Sequence, residues 1–351
     1  MTQRTRYFLV GSSLVMVVGL CTGLIAYYNG ALPLGASAAP SELAYIPSDS
    51  SAVAYANVRT VMDSEFRQRL RQVLPTGEAQ DELRDELGLD VERDIDSVVA
   101  GFAGDPSKPG GVVVVRGRFD ADLIEAQARQ HGATLEDYRG KRLLLSPELA
   151  HGSDETLRDE ETGVDIELPT RGGVAFLEPG LLALGDEATL KRSIDAAADQ
   201  QDVTRNSKLM GYIGEMSTTS SAWIVSEVDA MTDTTGVPEQ FRDQVGAVDW
   251  FMASATINGG LAGTLRAEAR DDQAAEQLRD LIRGGIAALR LMSGNDERMQ
   301  PLLNSVQLTG MGTTVALQFQ LTPDMLDVIN GLAAIGNLQS SGGSGGGGIR
   351  K

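Results

Sequence analysis

The chain has 351 residues, with 49 acidic and 30 basic side chains, two histidines and one cysteine, for a formal charge of −19. That length provides for one to three domains and ample core material. So acidic a surface, with no stripe of Lys or Arg to offset it, repels phosphate backbones and argues against nucleic-acid binding, while a zinc site built from His and Cys is excluded by count.

Residues 7–28, YFLVGSSLVMVVGLCTGLIAYY, carry no charge. A helix crossing a hydrocarbon core of about 30 Å needs roughly 20 apolar residues, and Tyr7, Phe8, Tyr27 and Tyr28 stand where interfacial aromatic belts form. Arg4 and Arg6 precede the segment and no Lys or Arg follows until Arg59. The positive-inside rule then places residues 1–6 in the cytoplasm and the bulk beyond a bacterial inner membrane, in a periplasmic or other extracytoplasmic space. The rival reading is a signal peptide cleaved after Ala38, at Ala36-Ser37-Ala38, which would leave the protein secreted. A signal h-region of about 7–15 residues is shorter than this segment, which favours an uncleaved signal-anchor. Leu20 is too large to precede a lipidated cysteine, so Cys21 reads as an apolar thiol within the span. Beyond the span lie all 49 acidic and 28 of the 30 basic residues, a charge of 28 − 49 = −21. Such a body stands off anionic headgroups, and with no second cysteine it holds itself together without an internal disulfide.

Residues 29–41 (NGALPLGASAAPS) form a small, turn-rich spacer. A first unit is expected over 42–200. It opens with a buried strand, Ser51-Ala-Val-Ala-Tyr-Ala56, followed by a helix with Val61, Phe66, Leu70, Val73 and Leu74 at helical spacing and a second short helix over 78–87. Residues 95–103 and 111–117 read as paired strands across the turn-rich 105–110. Asp120 is an N-cap, with Phe119 and Ile124 at the two positions of a hydrophobic staple, for a helix ending near Gly132. A strand over 141–145, an acidic loop, strands over 173–178 and 181–184 about Pro179-Gly180, and a helix begun at Gly185-Asp186 complete the unit.

The second unit, expected over 205–332, repeats the plan. Ser221-Ala-Trp-Ile-Val-Ser226 parallels the opening strand, and residues 248–257 and 261–269 form a hairpin across Asn258-Gly259, a dipeptide favoured in type I′ turns. Arg270-Asp271-Asp272 starts a helix whose apolar face is Leu278, Leu281, Ile282, Leu289 and Met292. Strands over 306–309 and 314–321 follow, then a helix capped by Thr322 with Pro323 at its first position. Residues 339–351 are a flexible glycine-rich tail. The expectation is an α+β body of two similar antiparallel-sheet units, each with helices on one face, preceded by one transmembrane helix. A groove between the units is the favoured place for a ligand.

Chemistry-bearing patterns are sparse. His131 sits at a helix end, where it serves orphan carbonyls, and His151 lies in a polar loop. Neither has metal-ligand spacing, and nothing positions a serine beside them. Gly342-Gly-Ser-Gly-Gly346 matches the nucleophile elbow only formally, because it lies in the tail rather than between strand and helix. No dinucleotide or phosphate-loop glycine pattern occurs, so no catalytic, cofactor-binding or metal-binding residue is assigned and no cofactor is expected. The loop 154–167, with Asp154, Glu155, Asp159, Glu160, Glu161, Asp165 and Glu167, has carboxylates enough for a hard cation but reads as a solvated acidic face. Trp223 is expected in the core and Trp250 half-buried.

The series Gly117-Arg-Phe-Asp120, Tyr138-Arg-Gly140, Val174-Ala-Phe-Leu177, Leu184-Gly-Asp-Glu187 and Ile194-Asp195, after a start at Ala44-Tyr-Ile-Pro47-Ser-Asp49, resembles uncharacterised exported bacterial proteins grouped as domains of unknown function. The resemblance covers about residues 40–200 well and 205–330 loosely, and it implies an extracytoplasmic α+β protein with no catalytic residue to carry over. The function expected is that of a membrane-anchored, non-enzymatic interaction or envelope-associated module. The alternatives are a small-ligand or peptide binder using the inter-unit groove, and a carboxylate-based hydrolase.

Overall fold

The computed structural model describes residues 39–64, 91–103, 110–130, 132–145, 156–158, 165–167, 172–217, 220–228, 247–257, 259–293, 300–322 and 325. The predicted span 7–28, the spacer to residue 38, the tail, both histidines, the part of the first expected helix from Phe66 to Leu74, the helix expected over 78–87 and nearly all of the one expected from Thr322-Pro323 lie outside them. Among the described residues no helix is long and apolar enough to cross a membrane.

The body is α+β. Twelve antiparallel strands form one sheet, in the order β13-β14-β12-β11-β10-β1-β2-β3-β9-β8-β5-β4. In chain order these are β1 Ser50–Ala56, β2 Ile95–Ala103, β3 Gly111–Gly117, β4 Thr134–Tyr138, β5 Lys141–Leu145, β8 Gly172–Glu178, β9 Leu181–Asp186, β10 Ala222–Glu227, β11 Val248–Ile257, β12 Leu261–Ala269, β13 Gln307–Thr309 and β14 Thr314–Leu321. The acidic loop contains a separate hairpin, β6 Thr156–Arg158 with β7 Asp165–Glu167. The helices are α1 Val58–Met62, α2 Val91–Asp94, α3 Ala121–Gln130, α4 Glu187–Asp199, α5 Ser207–Ser217, α6 Asp272–Ser293 and α7 Gln300–Ser305.

Two sheets were expected and one is found, because the opening strands of both units pair with each other: β1 joins β10 antiparallel, with Ala54 opposite Ile224. Outward from that seam the orders β1-β2-β3-β9-β8 and β10-β11-β12-β14-β13 are the same. Ser51 and Ser221 are 170 positions apart, and so are Ala54 and Ile224 (224 − 54 = 170). A position paired with its own counterpart marks a local two-fold relation at the seam. The hairpin β4–β5 has no equivalent among the described residues of the second half. It turns through Arg139 (φ 52°) and Gly140 (φ 76°), both left-handed as a type I′ turn requires.

Helices cover both faces rather than one. On the face called A here, α4 and α5 lay Leu190, Ile194, Leu209 and Ile213, each pair at i and i+4, onto Val53, Val99, Val114, Trp223 and Val225 in the main core. On face B, α1 adds Val58 and Met62 to Ala54, Ala100 and Val113, α3 adds Ile124 to Leu144 and Leu182, and α6 adds Ala275, Leu278 and Ile282 to Ala269, Val315 and Leu308. The reason lies in one lateral row, Leu135, Leu144, Val174, Leu184, Val113, Ala100, Ala54, Ile224, Ala253, Leu265, Leu317 and Leu308, which is apolar through all twelve strands. Paired residues point to one face, so face B demands cover in both units while face A of the first unit demands it independently. Leu281, assigned to the apolar stripe of α6, is 44% exposed.

The chain enters the fold through a strap. Residues Ser41–Tyr45 form a 3-10 turn, and Leu43 and Ile46 are wholly buried in the main core. Ser193 of α4 donates to the Tyr45 carbonyl at 2.6 Å. Val203 N donates to the Ile46 carbonyl at 2.8 Å and Ser48 N to that of Gln201 at 3.1 Å, which pins the strap to the segment joining the two units.

Candidate functional site

Three groupings of charged or aromatic side chains stand out among the described residues. The first is the strap's own ion pair. Glu42, 4% exposed, accepts Arg116 Nε at 2.6 Å, Ser97 Oγ at 3.2 Å and Ser41 Oγ at 3.2 Å. Burial alone would push its carboxyl up. The Arg116 hydrogen bond and charge, with help from the backbone and Ser41, outweigh that and hold it below the ordinary value. Beside it Tyr45 donates to Glu178 Oε1 at 2.9 Å, and burial together with that carboxylate pushes the phenol up to about 12. Nothing in the sequence flagged Glu42, because a lone acid in a five-residue turn looks like surface.

The second grouping is built from the motif residues. Tyr138 OH donates to Asp195 Oδ2 at 2.9 Å, and Arg139 reaches Asp195 at 2.9 Å and Asp199 at 2.8 Å. The Tyr138-Arg-Gly140 and Ile194-Asp195 motifs thus meet, fastening the β4–β5 turn to α4. Asp120 caps α3 by accepting Leu123 N at 3.0 Å, and Phe119 packs with Ile124 as a staple does. Gly117, Arg118, Phe119, Asp120, Asp122 and Gly180 line a shallow open depression there. These contacts fasten the β4–β5 turn to α4 and cap α3.

The third lies on face A of the second unit, against α5. Lys208 Nζ sits 5.1 Å above the Trp250 ring, Tyr212 lies 5.2 Å from the same ring, and the Arg266 guanidinium stands 5.8 Å from Tyr212. Trp250, expected half-buried, is 3% exposed because α5 roofs it. Arg266 Nε donates to Glu268 at 2.8 Å and its other arm pairs with Glu215, while Thr314 Oγ1 donates to Glu268 at 3.0 Å. Burial works against the Arg266 cation, but Glu268 and Glu215 outweigh it and keep its pKa above the ordinary value. The cluster is therefore charge-neutral as a whole.

The groove expected between the units is occupied by the β1–β10 ladder, which hydrogen-bonds the two halves edge to edge. Among the described residues no group of three His, Cys, Asp or Glu side chains is placed to hold a metal ion. Of the acidic loop only β6 and β7 are described, so its remaining carboxylates, like His131 and His151, lie outside the described residues.

The fold is similar to that of TP0453 in three crystal forms. Form I gives a TM-score of 0.44 at 11% identity, covering 84% of this chain and 98% of that one. Form III gives 0.46 at 10%, covering 84% and 99%, and form IV 0.45 at 11%, covering 84% and 97%. No protein-family model and no curated sequence matches the chain. The motifs that carried the resemblance to exported proteins are caps, turns and strand ends, which many unrelated folds share.

Proposed function

We propose that the protein is a single-pass, membrane-anchored module that works outside the cytoplasm by binding an envelope partner rather than by catalysis. The observation that carries this reading is the charge-free segment 7–28, with Arg4 and Arg6 on one side and a body of charge −21 on the other. The strap supports it: the chain leaves the spacer and within a few residues buries Leu43 and Ile46 in the core. A tether so placed joins the membrane to the centre of the sheet rather than to a loose end. The matched strand orders on either side of the seam support the further reading that the body is an internal duplication.

Among the described residues the carboxylates with shifted values, Glu42, Asp199 and Glu276, are held low by the arginines they pair with, as structural ion pairs are. The test is a pair of reporter fusions, at the N-terminus and after residue 351, with carbonate extraction of membranes. The expected result is a cytoplasmic N-terminus, an exported C-terminus and retention in the carbonate pellet. Release into the supernatant, or a cytoplasmic C-terminus, would overturn the anchor. Crosslinking in intact cells that recovers no envelope component would overturn the binding role.

A further inference from the structure

The seam's local two-fold relates the units element by element. Ala54 and its counterpart Ile224 are paired and so share a face, which sets the axis perpendicular to the sheet and carries each face onto itself. The strap precedes β1 and lies on face A, where Ile46 fills the space that Gly101 leaves by lacking a Cβ. Helix α5 precedes β10 and lies on face A, against β10 and β11. Helix α3 follows β3 and α6 follows β12, both on face B. Next in the series come β9 with β8 and β14 with β13, whose register matches Ala183 to Ala316 and Ala175 to Thr309. Strand β9 runs directly into α4, which lies on face A against β3, β8 and β9. Strand β14 runs into the sequence from Thr322. Beyond that residue only Met325 is described; it is helical and half-buried, and its N–H donates to the Thr322 carbonyl at 3.0 Å.

The sequence after Thr322 fits the same seat. In α4 the cap is Asp186, which accepts Thr189 N at 2.8 Å, and the buried residues Thr189, Leu190, Ser193, Ile194 and Ala196 stand three, four, seven, eight and ten places beyond it. The same places counted from Thr322 hold Met325, Leu326, Ile329, Asn330 and Leu332. Asp324 and Asp327 fall at the places of Ala188 and Lys191, which α4 keeps out of its buried stripe. The one polar residue in the new stripe is Asn330, at the place of Ile194. The floor changes in the same sense, with Thr264, Gln318 and Thr309 on face A where the first unit has Val112, Gly185 and Ala175. An amide in the roof can pair with hydroxyls and an amide in the floor that a wholly apolar helix would leave unsatisfied. We propose that residues 323–337 are the second unit's α4 and dock on face A of β12, β14 and β13. The tail from residue 339 then leaves the body at the end of the sheet opposite to the strap's entry. Helix α4 ends with Asp199 beside Arg139, at the same end as Arg116 and Glu42, and the two-fold turns that end round. Nothing in this docking depends on the membrane anchor.

The test uses the full chain in neutral detergent with a benzophenone amino acid in place of Gln318, on the floor. Irradiation should join residue 318 to a peptide within 323–337 of the same chain, read by mass spectrometry of the monomeric product. The same probe in place of Gln277, on the exposed side of α6 over face B, should not reach that segment. Ile329→Asp should speed hydrogen exchange in β13 and β14 roughly ten- to a hundredfold, as losing one buried apolar side chain does, while Asp327→Ala should leave it unaltered. Capture of another segment or of a second molecule, no capture at all, or equal capture from Gln277 would each overturn the proposal, as would equal exchange in Ile329→Asp and wild type. Should Ile329→Asp fail to fold, the crosslink decides alone, since it is made on an otherwise native chain.

Discussion

Replacing Glu42 tests whether the strap is held by its ion pair or only by its apolar residues. In Glu42→Gln the carboxylate that accepts from Arg116 Nε at 2.6 Å becomes an amide, while the serine contacts survive. A buried pair broken by removing one partner costs about 3–5 kcal/mol, but Arg116 is 37% exposed and can turn to water. The loss is then nearer that of one charged hydrogen bond, about 1.5–3 kcal/mol. For a domain of 150–250 residues, about 2–4 °C of melting temperature goes with each kcal/mol, so a fall of roughly 3–12 °C at pH 7 is expected by calorimetry. The pH dependence sharpens the test. Glu42 has a lowered pKa in the folded state, so its stabilisation is present above the unfolded value and is lost as pH falls through the folded one. The gap between wild type and variant should close in acid well below pH 4.5 and be constant from pH 6 to 8. Equal melting temperatures at pH 7, or a gap that persists undiminished at pH 2, would refute the ion-pair account.

Three further outcomes follow from the same structure. If the β1–β10 ladder makes the two units one cooperative body, calorimetry of the full chain should show a single unfolding transition for the sheet; two resolved transitions of comparable enthalpy would show that the seam does not couple them. Asp120→Ala removes the cap on Leu123 N and should cost about 0.5–2 kcal/mol in chemical denaturation, with Asp271→Ala, which caps Ala274 at 2.8 Å, losing a similar amount. Tyr45, pushed up to about 12 by burial and then Glu178, should stabilise the fold fully below pH 10 and progressively less as pH climbs toward 12. The deficit of Tyr45→Phe at neutral pH should therefore shrink over that interval, and a constant deficit would count against the buried phenol.

Local signals in the sequence were strong wherever backbone chemistry forces them. The strands at 95–103 and 111–117 coincide with β2 and β3, and Asp120, Asp186 and Asp271 cap the helices that their positions announced. Ser51, in β1, and Ser221, just before β10, were legible as matching positions and stand on the two strands that meet at the seam. What escaped was lateral. Pairing of β1 with β10 joins residues about 170 positions apart, and an alternating strand says only that it has neighbours, not which. β4 was missed because Thr134-Leu-Glu-Asp-Tyr138 carries two acids and forms the sheet's outer edge, where burial is slight. Trp250 looked half-exposed because its strand alternates, while the helix that roofs it comes from forty residues earlier. The Arg266 cluster assembles α5, β11, β12 and β14, and no window of sequence contains it.

The seam also accounts for how so long a sheet is terminated. A lone unit would expose a six- or seven-residue opening strand, β10 or β1, rich in Ala, Val, Ile and Trp and prone to pair with any strand it meets. Joining the units edge to edge consumes both of those edges at once. What remains outside is short or charged: β13 has three residues, and the five-residue β4 carries Glu136 and Asp137. Charge and shortness are what discourage further strand addition. The twelve-strand sheet thus follows from hiding two adhesive edges in each other. On face A of its outer strands the second unit places Thr264, Arg266 and Gln318 at the positions where the first unit places Val112, Val114 and Gly185.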